Sequence, residues 1–196
     1  ELISQPIRLT IALTAFTISM TWIMGIPIGI YSAVRQHTLG DYVFTFVGFS
    51  GLAVPDFLLG LVLMWVFFAY FDMSVGGLFS GQYEGAPWSA AKFVDLLKHL
   101  IIPGIVLGTS GTAGLIRIMR NNLLDELSKP YVVTARAKGL TENAVLYIHV
   151  LKNAAISIVT MMGDELAGFM NGATVAEVIF GWPGLGKLGI DSINAR

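Results

Sequence analysis

The sequence predicts an all-α fold class, a polytopic bundle of membrane-spanning helices, and three observations carry that prediction. Apolar side chains make up 55% of the 196 residues and charged ones 13%, against a charged share of about 25% in soluble domains. The apolar residues gather into four long blocks, each close to the roughly 20 residues a helix needs to cross a hydrocarbon core. A long polar segment, residues 128–153, separates the third block from the fourth.

The first block, residues 9–34, has no charged side chain at all. The second, 42–71, is interrupted only by Pro55-Asp56. As one straight helix it would be about 45 Å long, so it must tilt, protrude or kink at Pro55. Residues 72–98 are mixed, with glycines 76, 77, 81 and 85 followed by a short interfacial helix capped near Ser89, in which Phe93, Leu96, Leu97 and Leu100 recur at helical spacing. The third block, 100–117, is rich in small residues. Its Gly104, Gly108, Gly111 and Gly114, and the pairs Gly25/Gly29 and Gly168/Gly172, read as close helix packing. The fourth block is 154–180, and a polar tail, 181–196, follows. The chain thus reads as a single transmembrane domain over 1–196, with about four spans and a loop at 118–153.

Topology follows from the placement of Lys and Arg. Between Arg117 and Lys152 six basic residues stand against three acidic ones, and Arg35 follows the first block, whereas the segment after the second block is slightly negative. The positive-inside rule then puts loops 35–41 and 117–153 in the cytoplasm and 72–99 and 181–196 outside.

Several function classes lose support. The absence of Cys excludes disulfides and thiolate metal sites. His37, His99 and His149 are scattered without metal-ligand or triad spacing, so no catalytic residue, metal or cofactor is assigned. In the tail, Gly184-Leu-Gly186-Lys-Leu-Gly189 matches GxGxxG, and Gly181 to Lys187 spells GxxxxGK with Leu188 where a P-loop needs Ser or Thr. Both motifs need a preceding strand, and here a spanning helix precedes; the expected structure is a Trp182-Pro183-Gly184 turn at the membrane surface.

Segment 128–153 is built differently. Ser128 and Pro130 mark a helix start, Gly139 breaks that helix, and Thr141 can cap a second one over 142–152. The result is a helix-turn-helix hairpin on the cytoplasmic face. In it, small Ala135 would let a partner surface approach, and Val145, Leu146, His149 and Lys152 form a mixed face that could rest on the base of the membrane domain.

The residues Thr134-Ala-Arg-Ala-Lys-Gly-Leu140, followed by Val150-Leu-Lys-Asn-Ala154, resemble the EAA loop of binding-protein-dependent ABC importer permeases of the dipeptide, oligopeptide and nickel branch. Against the general pattern EAA, three residues, Gly, nine residues, Ile-x-Leu-Pro, the chain keeps Ala135, Gly139 and Leu151. It has Val133, Thr134, His149 and Lys152 in place of Glu, the first Ala, Ile and Pro, departures that are themselves similar to the peptide branch. Gly25-Ile-Pro-Ile-Gly-Ile30, the start of the third block and Val178-Ile-Phe-Gly-Trp-Pro-Gly-Leu-Gly-Lys187 extend the resemblance over nearly the whole chain, toward the first of the two permease subunits. The resemblance implies a MetI-like permease fold in a bacterial or archaeal cell membrane, inner or plasma. It further implies a second permease subunit, two cytoplasmic ATPases and an external substrate-binding protein as partners. Lipid surrounds it, no nucleic acid is expected, and ATP hydrolysis belongs to the partners. Thr134, Ala135, Arg136, Ala137, Lys138, Gly139 and Leu140 would form the ATPase-docking contact. Such permeases have six spans, so the opening at Glu1 and the count of four lead to the expectation that the first and last spans lie outside this sequence.

Asp164 and Glu165 fall about 15 Å into the fourth block, near the bilayer midplane, where each costs on the order of 2.5–3.5 kcal/mol unless it faces protein or water. Asp164, Gly168 and Asn171 share a helix face and form the candidate translocation stripe, with Glu165 beside it and Asp56 as a further candidate at the Pro55 kink. Structural pairing of these carboxylates is the competing reading. A self-contained channel or proton-coupled carrier using Asp164 and Glu165 is the alternative function, and a signalling anchor would leave the hairpin's small residues without a role.

Overall fold

The structure, a computed structural model, describes residues 3–71 and 76–195, and the side chains of residues 165 and 169–172 lie outside the description. Among the described residues every regular element is helical. The order is α1 (Ser4–Val34), α2 (Leu39–Ala53), α3 (Asp56–Phe71), α4 (Ala90–Leu127), α5 (Pro130–Ala137) and α6 (Glu142–Ala144). The last continues through a wide π turn, Val145–Val150, into α7 (Leu151–Ile179), and α8 (Leu185–Asn194) ends the chain.

By length and apolarity, Ser4–Val34 and Glu142–Gly168 can each cross a membrane. A third crossing is available if α2 and α3, broken at Val54 and Pro55, form one span. The kink expected at Pro55 is therefore a full break: the proline carbonyl accepts from the amides of Leu58 and Leu59, at 2.9 and 3.1 Å, and starts a new helix. The third expected block, 100–117, is the middle of the 38-residue α4. Ser89 does cap this helix, its hydroxyl accepting from the Lys92 amide at 3.2 Å. The helix is not short, however, because Pro103 removes one N–H without stopping it. Residues 142–152 and 154–180, expected as two helices, run together. No Gly or Pro lies between them, and Lys152 and Asn153 are exposed.

The chain forms two compact units, each with its own core. The first comprises residues 21–53 and 111–165. Its core joins Leu115, Met119 and Leu123 of α4 to Ala33, Val132, Ala135, Val145, Val150, Ala154 and Ile158. Glycine makes the α1–α4 approach in this unit: a Cβ on Gly29 would stand 2.7 Å from Met119 Cβ and 3.0 Å from the Ile116 carbonyl oxygen. The turn between α1 and α2 lies at Arg35–Thr38, with His37 at φ 65°; Gly40 and Asp41, at the end of the expected loop 35–41, already belong to α2. Asp41 is buried. Its carboxylate accepts from Ser32 Oγ at 2.6 Å, from the His37 amide at 3.0 Å, and from Arg120 Nε and Nη2 at 3.2 Å each. The paired, fork-shaped contact from Arg120 supplies the geometry a buried carboxylate needs.

The second unit comprises residues 1–20, 54–110 and 166–196. Leu13, Leu100, Ile102, Val106, Leu107, Ala173, Ala176, Phe180 and Trp182 fill its core. Trp182, expected at the membrane surface, is 1% exposed and so is a core residue. The turn that contains it is real: Gly181 has φ 63°, and the Gly77 amide donates to the Phe180 carbonyl at 2.7 Å. Residues 76–89 are tied to α4 by Asp95, which accepts from the Ser80 amide and hydroxyl at 2.8 and 2.7 Å. Burial alone would raise the Asp95 carboxyl; the Ser80 donors and the charges of His99 and Lys98 outweigh it and hold the group below its ordinary value. Nearby, the Lys92 ammonium donates to the Ala86 carbonyl at 2.6 Å and sits 4.5 Å from the Phe79 ring centre.

The expected packing role of the small residues divides by position. Gly25, Gly29 and Gly104 are pressed against Leu115, Met119 and Phe16, whereas a Cβ on Gly114 or Gly168 would meet nothing within 4 Å. Gly29→Leu should overpack the core of the first unit at a cost of about 1–3 kcal/mol, and Gly114→Ala should be neutral or slightly stabilising. Thermal unfolding of the detergent-solubilised full-length chain checks this; equal midpoints for Gly29→Leu and the unaltered protein would contradict it.

Candidate functional site

The hairpin at 130–153 carries exposed polar side chains, among them Thr134, Arg136 and Lys138. Its first helix, α5, begins on Pro130 and ends in a left-handed turn at Gly139, φ 80°. The Leu140 amide reaches back to the Ala135 carbonyl at 3.4 Å and the Gly139 amide to the Arg136 carbonyl at 2.9 Å. These two reverse bonds make a Schellman closure, which satisfies carbonyls that the helix end would leave free. Thr141 then caps the next helix, accepting from the Ala144 amide at 3.3 Å. Across the turn Arg136 donates from Nε and Nη2 to the two Glu142 carboxylate oxygens, at 2.8 and 3.0 Å.

The face beneath the hairpin is buried in its own unit. Val132, Ala135, Val145, Leu146 and Val150 join the core, so Ala135, 8% exposed, owes its small size to packing inside the chain. Of the mixed face expected to rest on the membrane-domain base, Val145 and Leu146 are buried in the core, whereas His149 and Lys152 are exposed. The outer face is formed by Val133, Thr134, Arg136, Ala137, Lys138, Gly139 and Leu140. At the base, Tyr131 donates to Glu126 at 2.8 Å and accepts from Asn153 Nδ2 at 3.3 Å, and Lys129 pairs with Glu126. The Lys129 ammonium and the Tyr131 hydroxyl hold the Glu126 carboxyl below its ordinary value, and burial pushes the Tyr131 phenol up. Six of the seven sequence-selected hairpin residues thus share a solvent face, with the seventh, Ala135, supporting it from within.

The pathway candidates are dispersed. Asp164 and Gly168 are exposed on α7, while the side chains of Glu165 and Asn171 lie outside the described residues. Asp56 opens α3 and borders a cavity of about 180 Å³ lined by Phe57, Val106, Leu107, Val175, Ala176 and Ile179. Ser110 Oγ stands 3.4 Å from its carboxylate. Among the described residues no cluster of three or more His, Asp or Glu could hold a metal ion.

One buried carboxylate escaped sequence reasoning. Glu177 of α7, fully buried, accepts from the Gly186 amide at 2.7 Å, the Lys187 amide at 3.2 Å and Thr10 Oγ1 at 2.5 Å. Thr10 Oγ1 in turn accepts from the Leu185 amide at 2.9 Å. The glycine motif of the tail therefore does place an anion at a helix N-terminus, and the anion is the chain's own. A Cβ on Gly184 would collide with the Glu177 carboxylate, and one on Gly186 would stand 2.5 Å from Thr174 Cα. The available signal was an acid seven residues before the Gly184-x-Gly186 helix start, which is too loose a spacing to read alone.

Glu177→Ala leaves two amides and a hydroxyl without an acceptor, at about 1–3 kcal/mol per buried orphan donor. It should lower the thermal midpoint of the solubilised chain well beyond Glu177→Gln, which keeps an acceptor oxygen; equal midpoints for the two variants would contradict the latch.

Over residues 25–196 the chain matches the family described as binding-protein-dependent transport system inner membrane component. It is 41% identical over its full length to the oligopeptide transport system permease protein AppB of Bacillus subtilis, covering 60% of that protein. It is 34% identical over 95% of its length to the dipeptide transport system permease protein DppB of Alkalihalophilus pseudofirmus, again covering 60% of the relative. To the DppB protein of Escherichia coli K12 it is 33% identical over 88% of its length, covering 56% of the relative. The chain therefore spans somewhat more than half the length of these curated relatives. With its all-helical architecture and long apolar helices, this chain belongs to the family of binding-protein-dependent transport system inner membrane components.

Proposed function

We propose that this chain is part of a multi-pass permease subunit in a bacterial inner membrane, forming the pathway of an ATP-driven importer for peptides or related small solutes, nickel chelates included. ATP is hydrolysed by separate subunits, and the work enters through the hairpin at 128–153. The observation that carries this reading is the hairpin's construction. An exposed face from Thr134 to Leu140 sits on a base locked into the unit's own core through Val132, Ala135, Val145 and Val150. A push on such a face moves α7 and α4 with it rather than bending a loop. The reading has four spans crossing at 9–34, 42–71, 100–117 and 154–180, with the hairpin in the cytoplasm. The partners are a second permease subunit, two ATPases and an external binding protein, the last in keeping with the family's description. The relatives named for oligopeptide and dipeptide transport support the substrate class.

Asp164 takes the role of a pathway residue. It is exposed on α7 and has no hydrogen bond or ion pair among the described residues. A carboxylate at that depth costs several kcal/mol facing lipid, so water or a second subunit must meet it.

Gly139→Arg puts a side chain on a residue with φ 80° and adds bulk to the docking face. Membrane insertion should remain, with uptake and ATP hydrolysis uncoupled in the reconstituted complex, while Gly139→Asn, which tolerates the left-handed turn, should retain most activity. Unchanged uptake by Gly139→Arg would defeat the proposal. Asp164→Leu should change transport kinetics more than assembly; wild-type kinetics would move Asp164 to a structural role.

A further inference from the structure

Between α2 and α4, within the unit of residues 21–53 and 111–165, lies an open cavity of about 190 Å³ whose walls include Phe49, Leu52, Ile116, Arg117, Arg120 and Asn121. Two contacts set the register of its walls. Asp41 meets Arg120, and a Cβ on Gly48 would lie 4.0 Å from Ala113 Cα. Seven residues separate the two levels on each helix, so the helices run antiparallel and the levels are about 10 Å apart. The cavity is polarised along that direction. Asp41, Arg117, Arg120 and Asn121 stand toward one end, and Gly48, Phe49 and Leu52 lead away from it, with no side chain at Gly48 to fill the groove.

The charges at the polar end do not cancel. Arg120 is committed to Asp41 through both of its contacting nitrogens. Arg117 is exposed and makes no hydrogen bond or ion pair among the described residues, leaving one unmatched guanidinium beside the Asn121 amide. An occupant must therefore join a single anionic head to an apolar tail. The polar end lies next to loops 35–41 and 117–153, the positively charged loops that the positive-inside rule places at the cytoplasmic surface. A phospholipid in the inner leaflet has this orientation already, head at the surface and chain toward the midplane.

We infer that this groove is a binding site for an anionic phospholipid, its phosphate held by Arg117 and Asn121 and one acyl chain lying along Phe49 and Leu52 past Gly48. Guanidinium groups bind phosphate oxygens through two parallel hydrogen bonds, and basic pockets between helices on the cytoplasmic side suit such headgroups. A zwitterionic lipid carries its own cation toward Arg117 and Arg120 and is disfavoured. The inference rests on the chain's place in a membrane family and is independent of hairpin docking and of the transported solute.

Native mass spectrometry of the full-length chain in detergent tests it, by titration with phosphatidylglycerol, phosphatidylcholine of the same acyl chains, and a free dipeptide. Phosphatidylglycerol should be retained at least tenfold better than phosphatidylcholine. Arg117→Gln should abolish that preference, Arg117→Lys should keep part of it, and Gly48→Leu should weaken both lipids; should Gly48→Leu fail to fold, the Arg117 pair decides alone. Equal retention of the two lipids, or a preference undiminished in Arg117→Gln, would overturn the site. Dipeptide binding that depends on Arg117 while the lipids show no preference would overturn it in favour of a solute site. Efficient cross-linking of Leu52→Cys to a second permease subunit in the intact complex would overturn it in favour of a subunit seam.

Discussion

A chain whose helices lie in hydrocarbon must find an internal partner for every backbone amide and carbonyl freed where a helix stops, and the whole structure follows that constraint. At the α1–α2 turn, the His37 amide donates to the buried Asp41 carboxylate. At the break between α2 and α3, the Pro55 carbonyl opens the next helix. The Gly139 turn closes its own carbonyls through two reverse hydrogen bonds. At the start of α8, the Glu177 carboxylate and the Thr10 hydroxyl take three amides between them. At three of these four interruptions a polar side chain or a glycine stands at the break.

The same constraint shapes the hairpin. Its turn is stiffened from inside by the Schellman bonds and from outside by Arg136 and Glu142. Its underside is continuous with the core of its unit, and its second limb runs through the π turn straight into α7. Wide π turns recur at functional sites because they offset the helix by one residue. Here the offset lies between the Thr141 cap and the long helix that carries Asp164, so the hairpin's second limb and the candidate pathway residue share one helical rod.

Much of this was legible in the sequence, for reasons that can be stated residue by residue. Block apolarity, the Pro55 break, the Ser89 cap and the Gly139 turn are local signals, set by residues within a few positions of one another. The hairpin's solvent face was legible because glycine, threonine and charged residues declare a surface turn without reference to anything distant. Burial of Ala135 and Trp182 was not, because it depends on partners contributed by distant stretches of chain. Residues 142–152 and 154–180 read as two helices because Lys152 and Asn153 are polar, but polarity alone does not stop a helix, and with no Gly or Pro between them the two run on as one. The Glu177 latch was hidden because Thr10 stands 167 residues away and the glycine motif, rejected as a nucleotide site, read only as a turn.

The central claim is that the driving work enters through the exposed face of the hairpin. Single-cysteine cross-linking tests it most directly, since the sequence contains no Cys of its own. In membranes containing the assembled complex, Lys138→Cys on the docking face should cross-link efficiently to an ATPase subunit, with a yield that changes when ATP is bound, while Tyr42→Cys on the exposed side of α2 should not. Absence of any ATPase adduct at residue 138 in an actively transporting complex would contradict the account.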